Sequence, residues 1–305
     1  MNAPELTVII VSYNTRELTL EAVRTLYQTT VKTPFRCIVL DNASEDGSAD
    51  AIADAFPQVE LIRSDENLGF AEGNNVAARL TDTEWLLLLN PDTECHEGAV
   101  DNLLAFSKAH PKAGITGGRT VYRDGSLNAS SCWNKPSIWS LFCQATGLTA
   151  ALRNVELFNP EGMGGWQRDS VREVDIVVGC FLMIKKSLWD ELGGFQTRYF
   201  MYGEESDLCL RAKEKGYQPM ITPDAEIMHI VGASTGDRPL RKRLLVHKAR
   251  ATLIRDHWSQ PAASVGVLIM KTGVGLRLLV SRLRGRGQDT WSEIWQSRDD
   301  WSAGY

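Results

Sequence analysis

Short apolar runs alternate with helical patterns through the first hundred residues, and this alternation restricts the fold more than any other feature. Leu6–Ser12 (LTVIIVS) is an unbroken, largely β-branched run, as expected of a strand buried on both faces. Thr15–Thr29 has helical spacing at Leu18, Ala22 and Leu26; Phe35–Asp41 reads as a second strand and Asp46–Phe56 as a short helix. Val59–Ser64, Gly69–Leu80 and Glu84–Asn90 (EWLLLLN) continue the series as strand, helix and strand. Such βαβα order predicts an α/β fold with a mostly parallel central sheet flanked by helices, whose ligands sit beyond the carboxyl ends of the strands. The polar motifs of this chain follow strand ends.

Beyond this region the pattern loosens. Residues 118–172 are rich in Gly, Asn, Ser and Trp and show no period, so they read as a long insertion or active-site loop. Val174–Ile184 returns to strand character, Lys186–Glu191 is a helical turn, and Glu204–Lys215 is a helix closed by Gly216. Strands are expected at Gln218–Thr222 and Glu226–Ile230, and from about Leu240 the chain reads as helix throughout. With 305 residues, 43% hydrophobic and 23% charged, the chain is a folded globular protein and not a disordered one. Its six cysteines are scattered, without C-x-x-C spacing, and are expected to be free thiols in a reducing compartment. The opening MNAPELTVIIVSYN has neither the basic segment nor the apolar run of a signal peptide, which predicts a cytoplasmic location.

The net charge of −5 conceals a polarity. Between Arg238 and Arg286 there are twelve Lys or Arg and one acid, Asp256, a local balance of +11, so the remainder carries −16. An acidic body with a basic tail suits an extended anionic partner, or else a plain solvated basic helix. Residues Ala262–Leu283 are apolar enough to resemble a membrane span, but Lys271, Arg277 and Arg282 interrupt them. Ile269, Leu276, Leu279, Val280 and Leu283 fall on one side of a helical wheel. The pattern predicts an interfacial helix on an anionic leaflet, with docking onto the protein's own body as the alternative.

Four motifs carry chemistry. In LLLLNPDTE an apolar strand ends in a proline turn, so Asp92 stands at the mouth of the sheet, where a hard cation bridging two phosphates can bind; an ordinary Asn-Pro-Asp turn accounts for the same residues. Asp41, in LDNASEDGS, can accept from the imide N–H of a uracil or thymine ring, or Asp41 and Asn42 can make an Asx-turn while Ser44 or Asp46 caps the next helix. In ENLGFAEGNN, two glycines at a helix start let backbone N–H groups approach an anion, although neither G-x-G-x-x-G nor a P-loop is present. In YGEESDLCLR three carboxylates, Glu204, Glu205 and Asp207, crowd a helix start; they favour the helix dipole, and their mutual repulsion also raises one pKa toward the range of a proton acceptor. His229, ending AEIMHIV, reads by itself as a core histidine.

In order and spacing, VIIVSYN, LDNASEDGS, ENLGFAEGNN, LLLLNPDTE, GCFLMIKKSLWDELGGF, YFMYGEESDLCLRAKEKGY and His229 together resemble glycosyltransferase family 2, in its rhamnosyltransferase-like branch, over roughly Leu6 to His229. The resemblance implies a GT-A fold in residues 1–237, with a nucleotide-binding half over about 1–117 and an acceptor half over about 118–237, followed by a basic, amphipathic helical region at 238–305. It implies an inverting, metal-dependent enzyme that moves a sugar from a nucleotide-diphosphate donor, dTDP-L-rhamnose first and a UDP-sugar next. The acceptor is a glycan or polyprenol-diphosphate-linked glycan in cell-envelope polysaccharide assembly, at the inner face of the membrane. By the same resemblance Asp41 reads the pyrimidine, and Ser12, Tyr13, Asn14, Asn42, Asn67, Gly69, Phe70, Asn74 and Asn90 line the donor site. Asp92 and His229 are the metal ligands, for Mn²⁺ or Mg²⁺, with Asn90 standing where the first acid of a DXD-type motif would be. Glu205 matches the catalytic base, a position more often Asp, and Glu204 and Asp207 are the alternatives. The loop Gly194–Thr197 departs from the family, which has Asp-Glu after Phe. Two other readings compete. A sugar nucleotidyltransferase needs a Gly-rich basic loop where Ser12–Arg16 stands, and a non-catalytic glycan-binding or scaffold protein does not need Asp92, Glu205 and His229. Nucleic acid is not expected as a partner, since no stacking array accompanies the basic tail.

Overall fold

The structure, a computed structural model, describes residues 3–199, 201–230, 239–285 and 290–305. In chain order the elements are β1 (Leu6–Ser12), α1 (Arg16–Thr29), β2 (Phe35–Asp41), α2 (Ser48–Ala55), β3 (Glu60–Arg63), α3 (Gly69–Arg79), β4 (Trp85–Leu89), β5 (Thr93–Cys95), α4 (Ala99–Ala109), β6 (Ile115–Val121), β7 (Leu127–Asn128), β8 (Cys132–Trp133), α5 (Ile138–Thr146) and α6 (Leu148–Ala151). They continue with β9 (Arg172–Glu173), β10 (Ile176–Val177), β11 (Phe181–Lys185), α7 (Lys186–Leu192), α8 (Glu204–Glu214), β12 (Met220–His229), α9 (Pro239–His257), α10 (Gln260–Leu283), α11 (Thr290–Gln296) and α12 (Arg298–Ala303). Two compact units result: Met1–Trp133 with Gln167–Phe200 and Glu204–Gly236, and Asn134–Trp166 with Met201–Gly203 and Asp237–Tyr305. The boundary expected at 237/238 lies outside the described residues, as do Arg238 and Arg286.

The first unit is built on a ten-stranded sheet of order β3-β2-β1-β4-β11-β6-β12-β5, with β7 beside β6 and β9 beside β12. Its pairings β1–β2, β2–β3, β1–β4 and β6–β12 are parallel. β11 lies antiparallel between β4 and β6, and β5 is antiparallel to β12. Every residue of β1 and β4 is buried, which is why both read as unbroken apolar runs. One face packs Val8, Ile10, Val39 and Leu87 against Val23 and Leu26 of α1 and Leu103 of α4. Burial of that apolar area, at about 25 cal/mol per Å², is the main force holding the strand ends in place.

Three segments differ from the sequence pattern. The strand expected over Val174–Ile184 is interrupted at Val178–Cys180, where Phe181 N–H donates to Val178 O at 3.4 Å; β10 leaves the main sheet to pair with β8. The two strands expected at Gln218–Thr222 and Glu226–Ile230 are one strand, β12, whose register against β6 shifts between Thr222 and Glu226. Gly118 makes that bulge possible, since a Cβ there would stand 2.1 Å from Ala225 O. Within the segment expected to be irregular, α5 forms behind a capping box in which Ser137 Oγ accepts from Ser140 N–H at 3.0 Å and Ser137 N–H donates to Ser140 Oγ at 2.8 Å.

The second unit is helical, as the sequence from Leu240 onward predicts. Its core joins Leu141 of α5 to Ala251 and Ile254 of α9, Ala263, Val267 and Val274 of α10, and Trp301 of α12. α10 is long and apolar enough to cross a membrane by length and composition, yet its Ala263, Gly266, Val267, Met270, Val274 and Leu278 are buried within this unit. A second stripe on the same helix faces outward: Val265, Leu268, Leu276, Leu279 and Leu283. The helix is therefore apolar on two sides, and Ile269, expected on the outer stripe, is partly buried against the core. All six cysteines are buried free thiols.

Candidate active site

The loops after β1 and β2 brace each other. Asn14, at φ +51°, accepts from Glu45 N–H through Oδ1 at 2.8 Å, and its own N–H donates to Ser44 Oγ at 2.9 Å. Ala43 also has positive φ, at +62°. Two non-glycine residues in the left-handed region beside each other in space mark a held, strained loop pair of the kind found at binding sites. Asp41 divides its oxygens: Oδ2 accepts from Ser44 N–H at 3.0 Å, making the turn, while Oδ1 is buried without a hydrogen-bond partner among the described residues. Asp46 takes the capping role, with Oδ1 accepting from Ser48 N–H at 3.0 Å and Oδ2 from Arg16 N–H at 3.0 Å. Ser12, by contrast, turns its hydroxyl to Thr15 and Thr19, at 3.1 and 2.9 Å, and Tyr13 is exposed at the loop tip.

Asn42 fastens the next loop. Its Nδ2 donates to Asn67 Oδ1 at 3.0 Å and to Gly69 O at 3.2 Å, and its Oδ1 accepts from Leu68 N–H at 2.8 Å. Asn67 in turn accepts from Gly69 N–H at 2.9 Å at the start of α3. Asn74 is used inside that helix, donating to Phe70 O at 2.8 Å. Asn42, Asn67 and Asn74 thus shape the pocket wall, while the Phe70 ring, 5.9 Å from that of Phe195, stands on it.

Asp92 and His229 meet because β5 pairs with the end of β12: Thr93 lies opposite His229, and Ile230 N–H donates to Asp92 O at 2.9 Å. Thr93 Oγ1 closes the preceding turn on Asn90 O at 2.7 Å. The carboxylate Oδ1 of Asp92 is 3.3 Å from His229 Nε2, with both side chains buried. Burial opposes a charge on the imidazole, but Cys180 and the Asp92 carboxylate beside it prevail and raise His229 to about 10. Asn90 Oδ1, close by in sequence, is a buried acceptor without a hydrogen-bond partner among the described residues, and His229 Nδ1 is a buried polar atom likewise without one. No group of three or more His, Cys, Asp or Glu is arranged to hold a metal among the described residues. An oxygen–nitrogen pair suits instead a cation that takes its remaining ligands from a substrate diphosphate and water, the usual habit of Mg²⁺ sites.

The three carboxylates of α8 have separate fates. Asp207 is bound to Arg211 Nε at 2.7 Å, and Arg211 also donates to Leu192 O at 2.6 Å and Gly194 O at 2.9 Å. Glu204 is buried, and its carboxyl is pushed well above the ordinary range, first by burial and then by the neighbouring Glu205 charge. Glu205 is half-buried. Burial, more than the crowding expected from sequence, raises the pKa of Glu204.

Sequence reasoning missed the piece that joins these parts. At Gly179 an added Cβ would lie 3.2 Å from the Phe70 ring and 3.9 Å from Glu205 Cβ. The next residue, Cys180, flanks His229 and accepts from Asn90 N–H through its carbonyl at 3.1 Å. The turn Val178–Cys180 therefore links Glu205 and Phe70 on one side to Asn90 and His229 on the other. Asn75 was also missed: its Oδ1 accepts from Phe195 N–H and its Nδ2 donates to Phe195 O, both at 2.9 Å, clamping the loop after α7.

The mixed, mostly parallel sheet flanked by helices, with Asp41 at the end of β2 and Asp92 between β4 and β5 beside His229 of β12, is a GT-A fold. Residues 7–191 match the model of the family described as glycosyl transferase family 2, and the chain belongs to that family. Among its relatives is an N-acetylglucosaminyl-diphospho-decaprenol L-rhamnosyltransferase of Mycobacterium tuberculosis, 28% identical over 278 residues that cover 83% of this chain and 87% of the other. A low-salt glycan biosynthesis hexosyltransferase, Agl10, of Haloferax volcanii is 26% identical over 69% of this chain and 62% of its own. Among solved structures, the mannosyltransferase PcManGT from Pyrobaculum calidifontis, in complex with GDP-Man and Mn²⁺, superposes with a TM-score of 0.58 at 18% identity, covering 99% of this chain and 84% of that one.

Proposed function

We propose that this protein transfers L-rhamnose from dTDP-L-rhamnose, with inversion, to a glycan carried on a polyprenol diphosphate during cell-envelope polysaccharide assembly. Support for donor and acceptor comes from the rhamnosyltransferase of Mycobacterium tuberculosis, 28% identical over 83% of the chain. The observation that carries the chemistry is the 3.3 Å approach of Asp92 to His229, with the turn at Gly179–Cys180 joining that pair to Glu205.

In this reading Asp41 Oδ1 accepts from the imide N–H of the donor's pyrimidine, and the ring lies in the cleft beside Tyr13 and Asn14. Asp92 and His229 hold a divalent cation, Mn²⁺ or Mg²⁺, and the imidazole nitrogen tilts the preference toward Mn²⁺. When bound, that ion neutralises the charge growing on the leaving diphosphate. Glu205 takes the proton of the acceptor hydroxyl as its oxygen attacks the anomeric carbon from the face opposite the diphosphate. The new C–O bond forms as the bond to the diphosphate breaks, so the anomeric configuration inverts. Glu205 is preferred to its neighbours because Asp207 is held by Arg211 and Glu204 is buried, its carboxyl pushed well above the ordinary range. A UDP-sugar donor is the second reading, since uracil and thymine offer Asp41 the same edge.

The outward stripe of α10 supports peripheral contact with an anionic membrane, at its cytoplasmic face, where a lipid-linked acceptor would be met. The test is a panel of nucleotide sugars incubated with and without Mn²⁺ and a polyprenol-diphosphate-linked acceptor. Release of dTDP with sugar transfer, abolished by EDTA, is the expected result. Turnover of no nucleotide sugar in the presence of Mn²⁺ would instead favour a non-catalytic glycan-binding or scaffold protein.

A further inference from the structure

The second unit holds a cluster of cations with little acid to balance it. The guanidinium groups of Arg243 on α9 and Arg277 on α10 each lie 5.2 Å from the ring centroid of Trp291 on α11. Arg277 donates to the carbonyls of Gly273, at 2.9 Å, and Gln144, and among the described residues neither it nor Arg243 is paired with a carboxylate. Arg250 pairs with Glu161 through Nη2, but its Nε is buried without a hydrogen-bond partner among the described residues. His247 stands among all three, its imidazole held below the ordinary value by burial and then by Arg250, Arg277 and Arg243.

Arg250, Arg277, His247 and Trp291 line a cavity of about 190 Å³ whose walls also include Gln144 and the apolar Leu141, Met270 and Val274, with Arg243 behind the Trp291 ring. That is smaller than the roughly 300–1,000 Å³ of pockets for drug-sized ligands, so it has room for a phosphate group and a short stretch of chain, not for a nucleotide sugar. The helix that supplies Arg277 and Met270 to the cavity also bears the outward stripe, on which Leu268 is 62% and Leu283 79% exposed. On α5, Trp139 and Phe142 are exposed as well, their rings stacked 5.6 Å apart. Arg277, without a carboxylate partner among the described residues, and Arg250, with its Nε still unbonded, stand beside apolar walls on a surface with outward aromatic and aliphatic side chains, in a segment of local charge +11; together these complement a phosphate attached to acyl chains.

We infer that the cavity among α5, α9, α10 and α11 binds the phosphate of an anionic membrane lipid, with Arg250 and Arg277 as its ligands and the α10 stripe seated at the acyl boundary. This rests on the membrane-contact part of the proposed function and supplies its site. A soluble phosphate has the same headgroup chemistry, so the experiment separates the two sources.

The full-length protein is sedimented with vesicles of phosphatidylcholine alone and with vesicles containing phosphatidylglycerol, and its melting temperature is followed with inorganic phosphate. The expected result is at least tenfold tighter binding to the phosphatidylglycerol vesicles, lost at least tenfold in Arg250→Gln/Arg277→Gln. A folded double variant that sediments like the wild type would overturn the inference. So would a thermal shift by inorganic phosphate that needs Arg277, with the protein left in the supernatant of both vesicle types. If the double variant does not fold, Leu268→Ser/Leu279→Ser, both at exposed positions, decides: weakened sedimentation supports the inference and unchanged sedimentation refutes it. Donor hydrolysis, measured on the same proteins without acceptor, reports the catalytic reading separately; its absence in the wild type leaves the vesicle result standing.

Discussion

His229 Nε2 stands 3.3 Å from Asp92 Oδ1 at the edge of the sheet, brought there by a three-residue strand, β5, pairing with the end of β12. Neither residue alone identifies a site. A buried carboxylate against a buried imidazole is a costly arrangement, and it suits a place where a cation takes over from a shared proton.

Asp92→Asn and His229→Ala should therefore each lower turnover by about 10²-fold or more, as expected when ion-held charge stabilisation of a leaving group is lost. Mn²⁺ should raise the melting temperature of the wild type and leave both variants unmoved. A variant that keeps its Mn²⁺ response removes its residue from the metal site.

Glu205→Gln should reduce kcat by about 10²- to 10⁴-fold, the usual contribution of a general base, while the affinity for the nucleotide product stays within a few fold. Glu205→Asp should recover part of the rate. Equal losses in Glu204→Gln and Glu205→Gln would reopen the choice of base.

Glu204 carries a pH signature in stability. Its folded pKa lies above its unfolded value, so its contribution is fully present below pH of about 4.5 and is lost as pH rises through the raised value. Glu204→Gln should match the wild type in urea unfolding at acid pH and become the more stable protein as pH rises. The gap should widen by up to about 1.4 kcal/mol per pH unit until the folded group ionises. A constant gap across pH would show that Glu204 is not held protonated.

Arg211 is expected to matter for stability rather than chemistry. Its bond to Asp207, at 2.7 Å with the aspartate side chain 3% exposed, would be broken by Arg211→Met, taking the cation from a buried carboxylate. The cost should be about 3–5 kcal/mol in chemical denaturation. Asp207→Asn/Arg211→Met should lose less than Arg211→Met alone.

Asp41→Asn should weaken dTDP and UDP binding by about 1–3 kcal/mol, because an acceptor facing an imide N–H is replaced by a group that can present a donor. Calorimetry with GDP as the control checks this; equal losses for all three nucleotides would place Asp41 outside base recognition.

The strands buried on both faces were the legible part of the fold. Leu6–Ser12 and Phe35–Asp41 have the boundaries read from sequence, since all of the first and the last five residues of the second are buried and their middles are apolar. α5 was hidden because Ile138, Trp139 and Phe142 remain exposed, so no amphipathic stripe stands out; its cap at Ser137 was the available signal. In the site, Asp41, Asp92 and the α8 carboxylates were visible as strand-end and helix-start residues. The meeting of Asp92 with His229 was not visible in residue spacing, because β5 is too short to show a period. Gly179 was masked by the apolar run around it, and Arg211 was detectable only as a basic residue one turn beyond Asp207.

The pairing of β5 with β12 also imposes an order on biogenesis. During synthesis Asp92 leaves the ribosome long before His229, and its partner strand is the last of the sheet's described strands to emerge. Strands β1 to β4 can collapse early through local contacts, whereas the corner that brings Asp92 to His229 awaits a long-range closure. A nascent chain halted before β12 would thus have Asp41 in place while still lacking the imidazole half of that corner.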